Sequence, residues 1–105
     1  KREFDPFKFI VIIDNLMSNA RKAKAKHIDV KIDLLDRNTM ELRIKDDGIG
    51  IPDEDMEKIF DFGFSTTGGT GIGLYHVKKI LKEYGSIKVN NRLKKGVEFI
   101  VRVVK

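Results

Sequence analysis

The chain has 105 residues, of which 41% are hydrophobic and 35% are charged, and it carries a formal net charge of +5. This length suits one domain with one core, and the absence of cysteine excludes disulfides and thiolate metal sites. No apolar run has the length of a membrane span or a signal peptide, so we expect one cytoplasmic domain over residues 1–105, cut from a longer protein because it begins at Lys1.

Residues 4–25, "FDPFKFIVIIDNLMSNARKAKA", predict a long amphipathic helix. Asp5 is a suitable N-cap, and Pro6 follows at the first helical position, where its missing N–H is not needed. Apolar residues then recur at spacings of four and three, which places them on one face. These residues are Phe9, Ile13, Leu16, Ala20 and Ala23.

The same helix places Asn15, Asn19 and Lys22 on one stripe at the margin of the apolar face. Asparagine is a poor residue for a helix interior because its amide competes for backbone hydrogen bonds. The stripe is therefore either a set of ordinary surface or buried amides, or a site in which an amide oxygen binds a hard cation and the lysine meets an anion.

Two alternating segments, 27–36 and 40–46, predict a β-hairpin around the turn "DRNT". In the second strand Met40, Leu42 and Ile44 share the core face, and Asp46 falls on that same face at the strand's end. A carboxylate directed under the helices requires a donor partner. Asp46 is either an ordinary turn residue or an acceptor for a ligand's amino group, with Gly48 and Gly50 letting that ligand approach the backbone.

The remaining segments complete an alternation of helices and strand pairs. Residues 52–60 predict a short helix, 61–69 a loop, and a second helix runs from Gly71 or Ile72 to a stop at Gly85. Segments 86–91 and 96–104 predict two more strands. The order predicts an α+β fold, a two-layer sandwich whose mixed, mostly antiparallel sheet has helices on one face and a polar opposite face.

The stretch "GGTGIGL", residues 68–74, leads into the second helix. It fits neither the dinucleotide fingerprint nor the P-loop, because no lysine follows its last glycine. Unpaired N–H groups at a helix N-terminus attract anions, and glycines let a phosphate approach them. By itself the stretch indicates either a flexible hinge or a phosphate site.

Taken together, four motifs resemble one family. "NLMSNARKA" (15–23), "DDGIGI" (46–51), "IFDFGF" (59–64) and "GGTGIGL" are similar to the N box, first glycine box, phenylalanine box and second glycine box of the sensor histidine kinase catalytic and ATP-binding domain. This domain belongs to the GHKL superfamily and has the Bergerat-type nucleotide fold. The resemblance covers essentially the whole chain, with the motifs in the family's order.

The resemblance implies that the chain binds ATP and Mg²⁺. Asp46 would accept a hydrogen bond from the adenine amino group, Asn19 would bind Mg²⁺, and Lys22 would contact phosphate oxygens. Asn15, Asn19 and Lys22 are thereby the implied catalytic residues. The further nucleotide-binding positions implied are Gly48, Gly50, Ile51, Phe60, Gly69, Thr70, Gly71, Ile72, Gly73 and Leu74. Phe64 belongs with Phe60 to the phenylalanine box, which holds the lid over the nucleotide.

Departures from the family pattern bear on the reaction. Asn15 stands where hydrolytic members carry a glutamate base, and an amide cannot take a proton from water at neutral pH. The lid that the resemblance implies, from about Asp53 to Gly68, has no Lys or Arg after Lys58, and Val97 replaces a frequent hydroxyl residue.

Phosphoryl transfer is thereby favoured over hydrolysis, and neither His27 nor His76 has the family's acceptor pattern. The implied partners are a histidine-bearing dimerisation hairpin of the parent kinase and a response regulator, with no nucleic acid and no direct membrane contact. The alternatives are a GHKL ATPase, an anti-sigma-type serine kinase, and a basic nucleic-acid-binding module.

Overall fold

The computed structural model describes residues 5–65 and 72–104. The elements are α1 (Pro6–Lys22), β1 (Ile28–Leu34), β2 (Thr39–Asp46), a 3₁₀ turn (Asp53–Asp55), α2 (Gly73–Leu81), β3 (Gly85–Asn90) and β4 (Val97–Val104). The strands form one sheet in the order β1-β2-β4-β3, and all pairings among these strands are antiparallel. The predicted α+β sandwich is confirmed, with the sheet antiparallel throughout the described strands.

Helix α1 begins and ends through local backbone chemistry. The Asp5 side chain accepts a hydrogen bond of 2.9 Å from the Phe7 N–H, which is the predicted N-cap. At the other end Lys24 adopts a left-handed φ of 61°. The Ala25 N–H reaches the Ala20 carbonyl and the Lys24 N–H reaches the Arg21 carbonyl, so α1 ends in a Schellman motif.

The core lies between the helices and the two central strands. Ile12, Leu16 and Ala20 of α1 are buried, whereas Ile13, predicted on the apolar face, lies at its margin. Val77 and Leu81 contribute from α2. Alternate residues of β2 and β4 complete the core: Leu42, Ile44, Val97, Phe99, Val101 and Val103. Burying each large aliphatic side chain contributes roughly 1.5–3 kcal/mol, so this cluster is the main stabilising feature.

Strand β1 is an edge strand and is only partly covered. Val30 and Ile32 lie on the helix side of the sheet but are 47% and 50% exposed. On the opposite face Glu41 is buried, and its carboxylate accepts hydrogen bonds from Arg43 Nε at 2.8 Å and Arg102 Nε at 2.9 Å. These guanidinium groups hold the pKa of Glu41 below its ordinary value. The predicted polar face therefore carries an ion-pair network.

Two predictions about the helices are wrong, one on where a helix ends and one on whether a helix forms. Helix α2 ends at Leu81 rather than at Gly85, which instead opens β3. A Cβ at Gly85 would overlap the carbonyl oxygen of Arg102 on β4, so the glycine is required by strand pairing. The helix predicted over 52–60 is only the 3₁₀ turn followed by further turns. Neither helix within residues 5–65 and 72–104 has the length and apolar character needed to cross a membrane.

Candidate nucleotide site

An open cleft lies where the C-terminal end of α1, the ends of β2 and β4, and the N-terminus of α2 meet. The polar residues among its described lining are Asn19, Lys22, Asp46 and Ser65, with Gly50 and Gly73. The apolar ones are Ala23, Ile51, Ile59, Phe64, Leu74, Val97 and Phe99. The lining has the character of a ligand site, because apolar walls surround a few polar groups.

Asp46 places a carboxylate in the wall of this cleft. Its pairing with Val97 of β4 puts it on the core side of the sheet, where the residue is only 3% exposed. Burial raises the pKa of Asp46, while the Gly48 N–H, donating to Oδ1 at 2.9 Å, acts in the opposite direction. A buried carboxylate with few donors of its own is suited to accept a hydrogen bond from a ligand's amino group.

The opposite wall is formed by the last turns of α1. Asn19 and Lys22 are three residues apart, so their side chains lie on one face, and both line the cleft. Asn15, one turn earlier, packs against the start of α2 instead. Its Oδ1 lies 3.2 Å from the position that a Cβ on Gly73 would occupy. The glycine therefore lets α2 begin directly beside α1.

The N-terminus of α2 supplies backbone donors to the cleft. Gly73 and Leu74 line it, and Ile72 at the N-cap position has no side-chain group that could cap the helix. First-turn N–H groups and the positive end of the helix dipole favour an anion at such a position. Ile72 itself is 42% exposed and lies outside the described lining. The predicted residues Gly69, Thr70 and Gly71 lie outside the described residues.

The glycines of the loop after β2 differ in what they do. Gly50 has a φ of 75° and lines the cleft, and a Cβ there would stand 3.2 Å from the Gly96 carbonyl oxygen. A Cβ on Gly48 would stand 2.6 Å from the Ala23 carbonyl oxygen. Gly48 is thus required for packing against the end of α1, and it does not contribute to the described lining of the cleft.

Phe60 and Phe64 of the predicted phenylalanine box lie in different places. Phe64 lines the cleft, whereas Phe60 lies outside its described lining, with the Nζ of Lys78 4.9 Å from the centre of its ring. Sequence reasoning missed Ile59, Ser65, Phe99 and Ala23 as lining residues. Strand alternation could have found Phe99, which pairs with the core residue Ile44, but Ser65 has no such signal.

The described residues include no group of three or more His, Cys, Asp or Glu side chains that could hold a metal ion by themselves. The amide oxygen of Asn19 is nevertheless a hard donor of the kind that Mg²⁺ takes, and it shares the cleft with Lys22. Mg²⁺ usually keeps several waters and binds through one or two protein oxygens together with substrate phosphates. The donor set therefore fits a magnesium ion that enters with a nucleotide.

The chain is similar in sequence to known proteins over nearly all of its length. A family model described as histidine kinase-, DNA gyrase B-, and HSP90-like ATPase matches residues 4–105. The chain is 35% identical over 106 residues to a probable C4-dicarboxylate sensor kinase of Bacillus subtilis, covering 92% of this chain and 20% of that kinase. The chain therefore spans about a fifth of the length of this curated relative.

Solved structures share the fold. The catalytic domain of histidine kinase ThkA, in a nucleotide-free form, superposes with a TM-score of 0.76 at 34% identity, over 96% of this chain and 69% of that one. Full-length ShkA in complex with AMPPNP superposes with a TM-score of 0.78 at 26% identity, over 91% of this chain and 21% of that one.

Proposed function

Because the chain belongs to the family of histidine kinase-, DNA gyrase B- and HSP90-like ATPases, we propose that it binds ATP with Mg²⁺ and transfers the γ-phosphoryl group to a histidine on a separate helical domain. That domain is the dimerisation hairpin of the parent sensor kinase, which then serves a response regulator. The observation that carries the proposal is the buried carboxylate of Asp46 in a cleft whose other walls are Lys22, Asn19 and the N-terminus of α2.

Each wall of the cleft suits one part of the nucleotide. Asp46 accepts from the adenine amino group, and Gly50, Ile51 and Val97 supply a surface beside the base. Lys22 neutralises phosphate charge, and the first N–H groups of α2 donate hydrogen bonds to phosphate oxygens. The site thus binds the two ends of ATP through different chemistry.

Asn19 is the residue that would hold the metal. When bound, Mg²⁺ supplies positive charge to the phosphate oxygens and so lowers the cost of developing negative charge. The contribution of this chain is to hold the phosphates in place through Asn19, Lys22 and the start of α2. Phosphoryl transfer depends mainly on such positioning and charge neutralisation.

Transfer to a partner is favoured over hydrolysis by the identity of Asn15. Its amide cannot act as a general base at neutral pH, and it is packed against Gly73 rather than placed in the described lining of the cleft. Hydrolysis and transfer to a serine would both need a base at this position, and Asn15 cannot supply one. The amide at position 15 thus supports a histidine acceptor outside the chain.

Calorimetric titration with ATP and ADP tests the proposal. The wild-type chain should bind both nucleotides, and Asp46→Ala should abolish binding without unfolding the domain. Asp29→Ala, which removes an exposed carboxylate from β1, is the matched control and should bind normally. Normal affinity in Asp46→Ala would contradict the assignment.

GTP provides a second comparison with the same protein. Guanine presents a carbonyl oxygen where adenine has its amino group, so it would face the Asp46 carboxylate without a donor between them. GTP should therefore bind far more weakly than ATP. A chain that instead bound DNA or RNA in a salt-dependent manner and had no affinity for ATP would be a basic nucleic-acid-binding module.

A further inference from the structure

Asp47, directly after the base-reading Asp46, uses its carboxylate on the chain itself. Oδ1 accepts the N–H of Lys26 at 2.7 Å and the N–H of His27 at 2.9 Å. Oδ2 lies 2.9 Å from Nδ1 of the His27 ring. The loop after β2 is thereby fastened to the segment that connects α1 to β1.

Backbone contacts run along the same seam. The Ile49 N–H donates to the Ala23 carbonyl at 3.0 Å, and the Asp47 N–H reaches the His27 carbonyl at 3.3 Å. Gly48 lies close against Ala23. Residues 23–27 and 46–49 are therefore held together from both sides, and the first of these segments continues directly from the helix that carries Asn19 and Lys22.

We propose that Asp47 is a positioning residue for nucleotide binding, which fixes the Asp46 loop to the end of α1 so that the base-reading and phosphate-facing walls form one rigid unit. The inference rests on the proposed function of the cleft. A site that is held in its binding geometry beforehand loses less entropy when the ligand arrives.

The two backbone hydrogen bonds carry this role more than the contact with the His27 ring does. The His27 side chain is 83% exposed, and side-chain contacts at such exposed positions contribute little. The N–H groups of Lys26 and His27 both donate to the same oxygen of Asp47. Both residues come directly after the turn that ends α1, in which Lys24 has a positive φ. These N–H bonds also hold the pKa of Asp47 well below its usual range, with the His27 ring adding to the effect, so the acceptor stays ionised.

The test compares three variants by ADP titration, at a temperature at which circular dichroism shows each to be fully folded. Asp47→Ala removes the acceptor and should weaken ADP binding at least tenfold. Asp47→Asn keeps an oxygen for both N–H groups and should stay within about threefold of wild type. Asp29→Ala removes an exposed carboxylate of the neighbouring strand and should leave affinity unchanged.

A second nucleotide separates positioning from general destabilisation. A purine nucleoside diphosphate without the 6-amino group cannot donate to Asp46, so it should bind weakly and is titrated at a high protein concentration. Its affinity should change less than twofold in Asp47→Ala. Partial unfolding would weaken both nucleotides equally, and that result would overturn the inference. So would wild-type ADP affinity in folded Asp47→Ala.

If Asp47→Ala does not fold, Asp47→Ser serves the same purpose, because its hydroxyl accepts one hydrogen bond in place of two. A three- to fivefold loss of ADP affinity is expected, and wild-type affinity would overturn the inference. Failure of the wild-type chain and of Asp29→Ala to bind ADP would overturn the proposed function itself. Normal wild-type binding that is indifferent to Asp47 would overturn only the positioning role.

Discussion

At the scale of single residues, Asp46 shows a conflict between stability and binding. Its carboxylate is 3% exposed, and burial raises its pKa. The pKa of this carboxyl is higher in the folded state than in the unfolded state, where it is about 4. Its contribution to stability is therefore fully present when the pH is below about 4, and it is lost as the pH rises through the folded-state pKa. At neutral pH the ionised side chain therefore destabilises the empty domain.

Asp46→Asn should accordingly stabilise the empty domain at neutral pH while weakening ADP binding at least tenfold. The amide is neutral, so it avoids the cost of a buried charge, and its oxygen can still accept from Gly48. Urea unfolding at several pH values measures the first effect and calorimetry the second. The stability advantage should shrink as pH falls toward 4, and an advantage independent of pH would contradict the explanation.

Asn19 gives a second prediction at this scale. Asn19→Leu removes the amide oxygen from the wall of the cleft, so nucleotide affinity should no longer depend on Mg²⁺. Asn19→Asp keeps an oxygen ligand and should retain a Mg²⁺ effect. ADP titrations with and without Mg²⁺ measure both, with Asn38→Leu in an exposed loop as the control. An unchanged Mg²⁺ effect in Asn19→Leu would place the metal elsewhere.

At the scale of elements, the end of α1 is the feature on which the cleft depends most. The Schellman motif turns the chain sharply after Lys22 and leads it past the Asp46 loop to β1. The turn requires Lys24 at a φ of 61°, and Lys24 is the one described residue other than glycine with a positive φ. A side chain in this conformation costs roughly 1 kcal/mol relative to glycine.

Lys24→Gly should therefore raise the free energy of unfolding by about 0.5–1 kcal/mol, since glycine adopts this conformation without strain. Ala25→Gly, one residue along and without a positive φ, should lower stability by a similar amount. Chemical denaturation of both variants measures the difference. Equal destabilisation by the two glycines would show that the left-handed turn is not strained.

At the scale of the whole molecule, the cleft combines parts from both halves of the chain. Helix α1 and strand β2 come before the predicted lid, and α2 and β4 come after it. The helices and the central strands share one buried core, which brings the elements that form the walls of the cleft together. This arrangement can hold ATP, but His27 and His76 are both exposed and show no acceptor pattern.

The isolated chain should therefore bind ATP but neither hydrolyse it appreciably nor label itself. Adding the proposed partner, a histidine-bearing dimerisation hairpin, should give acid-labile phosphate on the hairpin alone, because docking raises the acceptor's effective concentration. Incubation with γ-labelled ATP and Mg²⁺ measures the transfer. Rapid phosphate release from the chain alone would support an ATPase, and acid-stable label on serine would support the serine kinase alternative.

Local patterns were enough to predict much of the fold. Asp5 and Pro6 predicted the start of α1 because capping depends on adjacent residues, and the alternation of Leu42, Ile44 and Asp46 placed the carboxylate on the core side. The order of the elements predicted the sandwich. The four motifs indicated the family, and this prediction is confirmed by the match over residues 4–105.

The tertiary structure alone decided how these parts meet. In sequence Gly85 indicates the end of a helix, but a glycine is required there because the carbonyl of Arg102, 17 residues later, leaves no room for a Cβ. Gly48 is likewise required because Ala23 lies too close for a Cβ. The contacts of Asp47 with Lys26 and His27 join positions about 20 residues apart. Periodicity and capping report only on neighbours along the chain, whereas close approach and hydrogen bonding depend on which segments the folded core brings together.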